Sequence, residues 1–176
     1  MATNPTSRLH TERKMNDSEI EDLLRVAIGP RFLGVFTADN IPLPLIKNLP
    51  LTTYPYCFIA NTDPDSEPGS HWVAFYVDSS HTYEFFDSYA ISASTYFAKY
   101  NSFLAYTPPR VSNSYSLQKL NSVVCGHYCI YYLYLRLVAH QSLASICRTL
   151  YPFSQLTHSD KTVKSFVDQL RRQYFK

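Results

Sequence analysis

Apolar residues recur at Ile20, Leu23, Leu24 and Ala27, three or four positions apart, and mark one face of a helix. Asp17 or Ser18 can cap it, acidic residues follow in its first turn, and Gly29-Pro30 stops it. The pattern then changes to short apolar runs rich in aromatic and β-branched residues. Residues 32–36, 56–60, 72–77 and 82–86 read as strands, the last two as a hairpin turning through Asp78-Ser79-Ser80-His81. A Pro-rich connection covers 39–55 and a polar loop covers 61–70. Residues 94–104 suit a helix, Pro108-Pro109 breaks the chain, and 110–117 can hold one more strand. Residues 124–139 are apolar nearly all round, the mark of a buried helix. A further helix is expected over 142–150. A last one is expected over 160–174, with Val163, Phe166, Val167 and Leu170 on one face.

Residues 1–15 are polar and aperiodic, so a flexible extension is expected there, followed by one domain over 16–176. No internal repeat divides the chain. Composition adds a bulky aromatic complement of fifteen Tyr, eleven Phe and one Trp, with only four Gly. A net charge of +2 does not by itself argue for nucleic acid, and the cluster Lys161, Lys164, Arg171, Arg172 and Lys176 reads first as a solvated helix face. No apolar run reaches the roughly 18 residues of a membrane span. The N-terminus lacks the apolar core of a signal peptide. Cys57, Cys125, Cys129 and Cys147 are therefore expected as free thiols in a reducing compartment, in a protein that is not secreted.

The candidate chemistry lies in an ordered set: His71-Trp72, Asp87, Gln118 and Cys125-Gly126. Cys125 falls at the start of the buried helix, where backbone N–H groups and the helix dipole favour a thiolate. Gly126 beside it lets backbone approach a substrate. The hairpin brings His71, before one strand, and Asp87, after the next, to the same end, so Asp87 can fix the imidazole tautomer. Asp78 sits at the opposite end, His81 in the turn, and His127 on another side of the helix. Gln118 can donate its amide to an oxyanion. Each residue alone has a blander reading, as core thiol or surface polar group; the set together does not. Cys125, His127 and Cys129 alternate by two, which would suit a metal only on a strand, and no fourth ligand stands near in sequence. No metal is assigned.

In these residues the chain resembles the adenovirus-type (adenain-like) maturation cysteine proteases, whose wider superfamily includes the SUMO-deconjugating proteases. The resemblance also covers Gly29-Pro30-Arg31-Phe32-Leu33-Gly34, the stretch from Asn61-Thr62 to Phe75, the Gln118 to Cys129 block, and residues 165–175. It implies an α+β fold, a central mixed β-sheet flanked by helices, with the Cys at the N-terminus of a buried helix. It implies catalysis by His71, Asp87, Gln118 and Cys125, with Gly126 and Trp72 lining the substrate and oxyanion site. It also implies a virus, virophage or virus-like transposon as source, and capsid or core precursors as substrates in the virion or infected cell. A monomer without membrane attachment is expected. The family brings in an activating capsid-derived peptide and DNA as possible cofactors. Residues 100–117 contain no Cys to receive such a peptide through a disulfide. Adenovirus enzymes carry Glu where this chain has Asp87, and Asp-Ser is closer to the SUMO-protease pattern. Two other readings stand beside this one: a peptidase or isopeptidase for ubiquitin-like modifiers, and a capsid- or DNA-binding module without catalysis.

Overall fold

The computed structural model describes residues 13–42, 46, 48–78, 82–100, 111–151 and 156–175. Its centre is a five-stranded sheet in the order β1 (Phe32–Phe36), β2 (Tyr56–Asn61), β3 (Trp72–Val77), β4 (Tyr83–Phe86) and β5 (Val111–Ser112). The outer pairs, β1 with β2 and β4 with β5, are parallel; β2–β3 and β3–β4 are antiparallel. The helices are α1 (Asp17–Ile28), α2 (Ala93–Phe97), α3 (Cys125–Leu137), α4 (Leu143–Leu150) and α5 (Leu156–Tyr174). The architecture is the mixed α+β sheet with flanking helices that the resemblance implied.

The strands read as apolar runs without clean alternation because both faces of the sheet are covered. Cys57, Ile59, Ala74, Tyr76 and Phe86 face the core shared with α1, α3, α4 and α5. Tyr56, Phe58, Phe75, Val77 and Phe85 face a second core closed by Ala38, Ile46 and α2. Aromatic stacking fills both: Phe86 lies on Tyr132 with centroids 4.5 Å apart, and Phe58 on Phe75 at 4.7 Å. The helix α3 runs across the first face, and its polar groups Arg136 and Tyr132 are matched from β4. Arg136 donates to both carboxylate oxygens of Glu84 on β4, at 2.8 and 2.9 Å, and lies 4.0 Å over the Tyr76 ring. Tyr132 donates to the same carboxylate at 2.8 Å. Glu84, the polar residue on a strand facing the helices, is thereby neutralised where it would otherwise be costly.

Several boundaries differ from the sequence reading, three of them for a visible physical reason. The cap of α1 is Asn16, one residue before the expected pair, because Asn16 and Glu19 complete a reciprocal capping box. The expected strand over 110–117 narrows to Val111–Ser112, since Asn113 turns inward to bond the main chain of Asp87 at 3.1 and 2.6 Å. The last helix starts at Leu156, four residues early, where Ser159 is buried and donates to Leu150 O. Residues 101–104 of the expected central helix, and turn residues 79–81, lie outside the described residues; α2 covers Ala93–Phe97. Arg13 to Asn16, at the foot of the expected extension, lie on the body: Met15 is buried, and its carbonyl accepts from Trp72 Nε1 at 3.3 Å.

The loop before β3 depends on Gly69, at φ 79°, in the left-handed region. A Cβ there would also press into the Asn61 side chain, which accepts from Asp63 N at 2.9 Å. Gly69→Ala is expected to destabilise the protein by about 1–3 kcal/mol, read as a shift in urea midpoint with unchanged slope.

Candidate active site

The hairpin register sets the geometry. Ala74 pairs with Phe86 and Val77 with Tyr83, so the residues just before β3 and just after β4 share one end of the sheet. His71 and Asp87 occupy those places, and His71 Nε2 lies 2.6 Å from Asp87 Oδ1. Nδ1 is the ring nitrogen left for Cys125, and His71 is the neighbour that does most to lower the Cys125 thiol. Cys125 is the first residue of α3 and is buried.

The Asp87 carboxylate has no exposure to solvent. Four donors meet it: His71 and the Tyr89 amide on Oδ1, the Ile91 amide and the Tyr96 hydroxyl on Oδ2, at 2.6, 3.1, 2.8 and 3.1 Å. The turn that follows β4 supplies two of them and α2 supplies the fourth. The oxygen positions are consequently fixed, and they fix the imidazole.

Electrostatics favours an ion pair. Burial works against a charged His71, but the hydrogen bonds to Asp87 and Cys125 and the two nearby negative charges outweigh it, and its pKa is raised. Burial likewise opposes a Cys125 thiolate, yet the bond from His71, its positive charge, and the backbone N–H groups of Trp72 and Gly126 bring the thiol below its ordinary value. Cys57, Cys129 and Cys147, also free and buried, are pushed the other way by burial and stay protonated.

Gln118 is buried beside this group, and its contacts fix its amide orientation. Nε2 lies 2.9 Å from Ser122 O and 3.0 Å from Ser122 Oγ. A carbonyl can only accept, so the nitrogen must face Ser122 and Oε1 must face Ser88, whose hydroxyl donates to it at 2.6 Å. Gln118 N and Leu117 N both donate to Ser88 O, at 3.1 and 2.8 Å. Tyr128 of α3 holds the same loop by donating to Leu117 O at 2.6 Å. For Gln118 to serve an oxyanion, an amide proton must turn from Ser122 towards the substrate.

The structure thus brings together His71, Asp87 and Cys125, with Gln118 anchored to the residue after Asp87. Trp72 contributes its backbone N–H to Cys125 and its indole N–H to Met15. Gly126 has a packing reason to be glycine: a Cβ would meet Ile20 Cδ1 at 3.0 Å and Met15 and Trp72 at 3.5 Å. Cys125, His127 and Cys129 lie on a helix and do not converge, and among the described residues no three His, Cys, Asp or Glu side chains could hold a metal. Sequence reasoning missed Ser88, Ser122, Asn113, Tyr89 and Tyr96. Only Ser88 carried a signal, its place directly after Asp87.

No family model matches the sequence, and no curated protein sequence matches it. Solved structures do resemble it. The ASFV pS273R protease matches with a TM-score of 0.54 and 16% identity over 86% of this chain. This chain spans 66% of that protein's length. ChlaDub1 from Chlamydia trachomatis matches with a TM-score of 0.56 and 12% identity, covering 96% of this chain and 95% of that one. The central domain of the Legionella pneumophila protein Lpg1148 matches with a TM-score of 0.52 and 14% identity, covering 90% and 99%. The mixed five-stranded sheet with flanking helices is the fold this chain shares with them. At these identities the likeness extends to the fold and no further. Among the described residues no helix is long and apolar enough to cross a membrane.

Two outcomes follow from the site. Iodoacetamide should alkylate Cys125 at pH values well below the ordinary thiol range of about 8.5, and His71→Ala should return the rate profile to that range. Ser88→Ala should lower kcat roughly tenfold or more with KM little changed, because it frees the Gln118 amide to rotate. In a Gln118→Ala background the same change should add nothing, and the Cys125 alkylation profile should be unmoved in both.

Proposed function

We propose that this protein is a cysteine endopeptidase that cleaves capsid or core precursor proteins during virus particle maturation. The observation that carries the chemistry is the buried contact of Cys125, His71 and Asp87, which favours thiolate and imidazolium before any substrate arrives. The shared fold with a protein named as a viral protease supports the reaction class. The capsid assignment rests on the sequence resemblance.

The thiolate of Cys125 attacks the scissile carbonyl carbon, forming a C–S bond and a tetrahedral oxyanion. The N–H groups at the start of α3 and the amide of Gln118 hold that oxygen. His71, carrying its proton on Nδ1, passes it to the leaving amine as the C–N bond breaks, and becomes neutral. A water then gives its proton to His71 and its oxygen to the acyl carbon. Collapse of the second tetrahedral species releases the carboxylic acid product, whose proton passes to the freed amine or solvent, and restores the thiolate, with the proton from water on His71. Asp87 holds the imidazole in place through these steps, its oxygens fixed by four donors.

Purified protein should cleave Gly-containing capsid-precursor peptides faster than fluorogenic ubiquitin or SUMO fusions, and added DNA should change the rate by less than about twofold. The reverse preference would move the assignment to ubiquitin-like modifiers. Cys125→Ala should abolish turnover while the melting temperature stays within a few degrees of wild type. Cleavage by that variant near the wild-type rate would sink the mechanism.

A further inference from the structure

A cavity of about 640 Å³ opens beside the start of α3, between the segment leading into α1 and the face of α5. Val123 and Val124, the two residues before Cys125, form part of its wall. Arg13, Lys14, Lys164 and Arg171 line it, against Glu19 and Asp168. Four cations face two anions, so the cavity carries a net charge of +2 in a chain whose total is only +2. Glu19 is already committed, to Arg13 and at 3.6 Å to Arg171.

The cavity also holds an unmatched polar group. His127, two residues after Cys125, lines it and is 6% exposed, and its Nδ1 is buried with no hydrogen-bond partner. Burial, then the nearby Arg171 and Lys164, push its pKa down to about 4, so the ring is neutral near pH 7 and its charge does not offset an anion. A buried imidazole nitrogen left unpaired costs free energy in the free protein, and a bound polar group can recover it. A second cavity, of about 340 Å³, shares Lys14 and Met15 with the first. Asp17, Asp65 and Glu67 line that side, so the sign of the potential reverses across the segment that Trp72 holds.

We infer that the cavity between α3 and α5 is a subsite for an acidic stretch of the substrate polypeptide, carrying Asp or Glu side chains close to the scissile bond. This deepens the peptidase reading and rests on it for the word substrate. It commits to a polypeptide because Val123 and Val124 in the cavity wall immediately precede Cys125 in the chain, and a polypeptide held for cutting is long enough to reach from the nucleophile into the cavity. Its charge selects the anionic chain over the neutral or basic one, and only modestly, since the groups are partly solvated.

The test uses three fluorescein-labelled dodecapeptides on one Ala/Gly/Ser backbone, carrying three Glu, three Lys or neither, and a single-stranded DNA oligomer of matched charge. Binding is read by anisotropy on full-length Cys125→Ala protein, and cleavage on wild type. The Glu peptide should bind roughly three- to tenfold more tightly than the other two. The advantage should shrink in 0.5 M salt and disappear in Lys164→Glu and Lys164→Gln, each checked for an unchanged melting temperature. Equal affinities, an advantage that survives both variants, or tighter binding of the oligomer than of the Glu peptide would each overturn the subsite. If wild type cuts the peptides without favouring the Glu peptide, only the subsite fails. If the Glu peptide binds as expected but nothing is cut, the acidic site stands and the peptidase reading fails.

Discussion

A carboxylate with no access to water is among the most expensive groups a protein can bury, and this fold is arranged around one. Four donors reach Asp87, and they come from three different pieces of local structure. The β3–β4 register delivers His71. The turn after β4 delivers the amides of Tyr89 and Ile91. The short helix α2 delivers Tyr96, and Asn113, at the end of β5, clamps the Asp87 main chain from the other side. Loss of any one element would leave a buried charge short of a partner. That is a stronger constraint than the apolar packing around it, where a methylene more or less can be absorbed.

The same dipeptide governs the second half of the site. Asp87 orients the imidazole, and Ser88, next to it in the chain, sets the Gln118 amide through a bond of 2.6 Å. The Ser88 carbonyl accepts from Leu117 and Gln118 as well, so the loop carrying Gln118 is tied to the end of β4 through both main chain and side chain. On the proposed mechanism, base orientation and oxyanion donation would therefore share one support. A shift of that turn would move both together and keep their spacing, which suits a reaction needing them in one geometry.

Apolar runs located β1 to β4, and periodicity located the faces of α1 and α5, because burial imposes those patterns on the chain whatever its function. The hairpin argument placed His71 against Asp87 for a similar reason: strand register is geometric, and the lengths of the two runs determine it. What the sequence could not disclose were partners chosen by tertiary contact. Ser122 and Asn113 are polar residues in loops, indistinguishable in sequence from solvated ones, and they matter only because Gln118 and Asp87 fold onto them. Met15 was assigned to a flexible extension since nothing within residues 1–15 shows that Trp72, far along the chain, will bond its carbonyl and bury its side chain. The narrowing of β5 has the same origin, for Asn113 leaves the strand to bond the main chain of Asp87.

The helix carrying Cys125 departs from the rules its neighbours obey. The helices α1 and α4 begin at Asn16 and Ser142, whose side chains accept from the N3 amides. The helix α3 begins after Val124, which has no side chain able to cap, at a cost of about 1 kcal/mol relative to Ser, Asn or Asp at that place. A capping oxygen there would compete for the same N–H groups that the Cys125 sulfur and a developing oxyanion require. It would also place a polar atom in the wall where Val123 and Val124 border the cavity. The uncapped end is consistent with a functional demand overriding a local stability rule, and α3 recovers the loss further along through Tyr128, Tyr132 and Arg136, each bonded to the loop or strand beneath it. Stability is thus concentrated in the body of the helix, and its first turn is left free for chemistry.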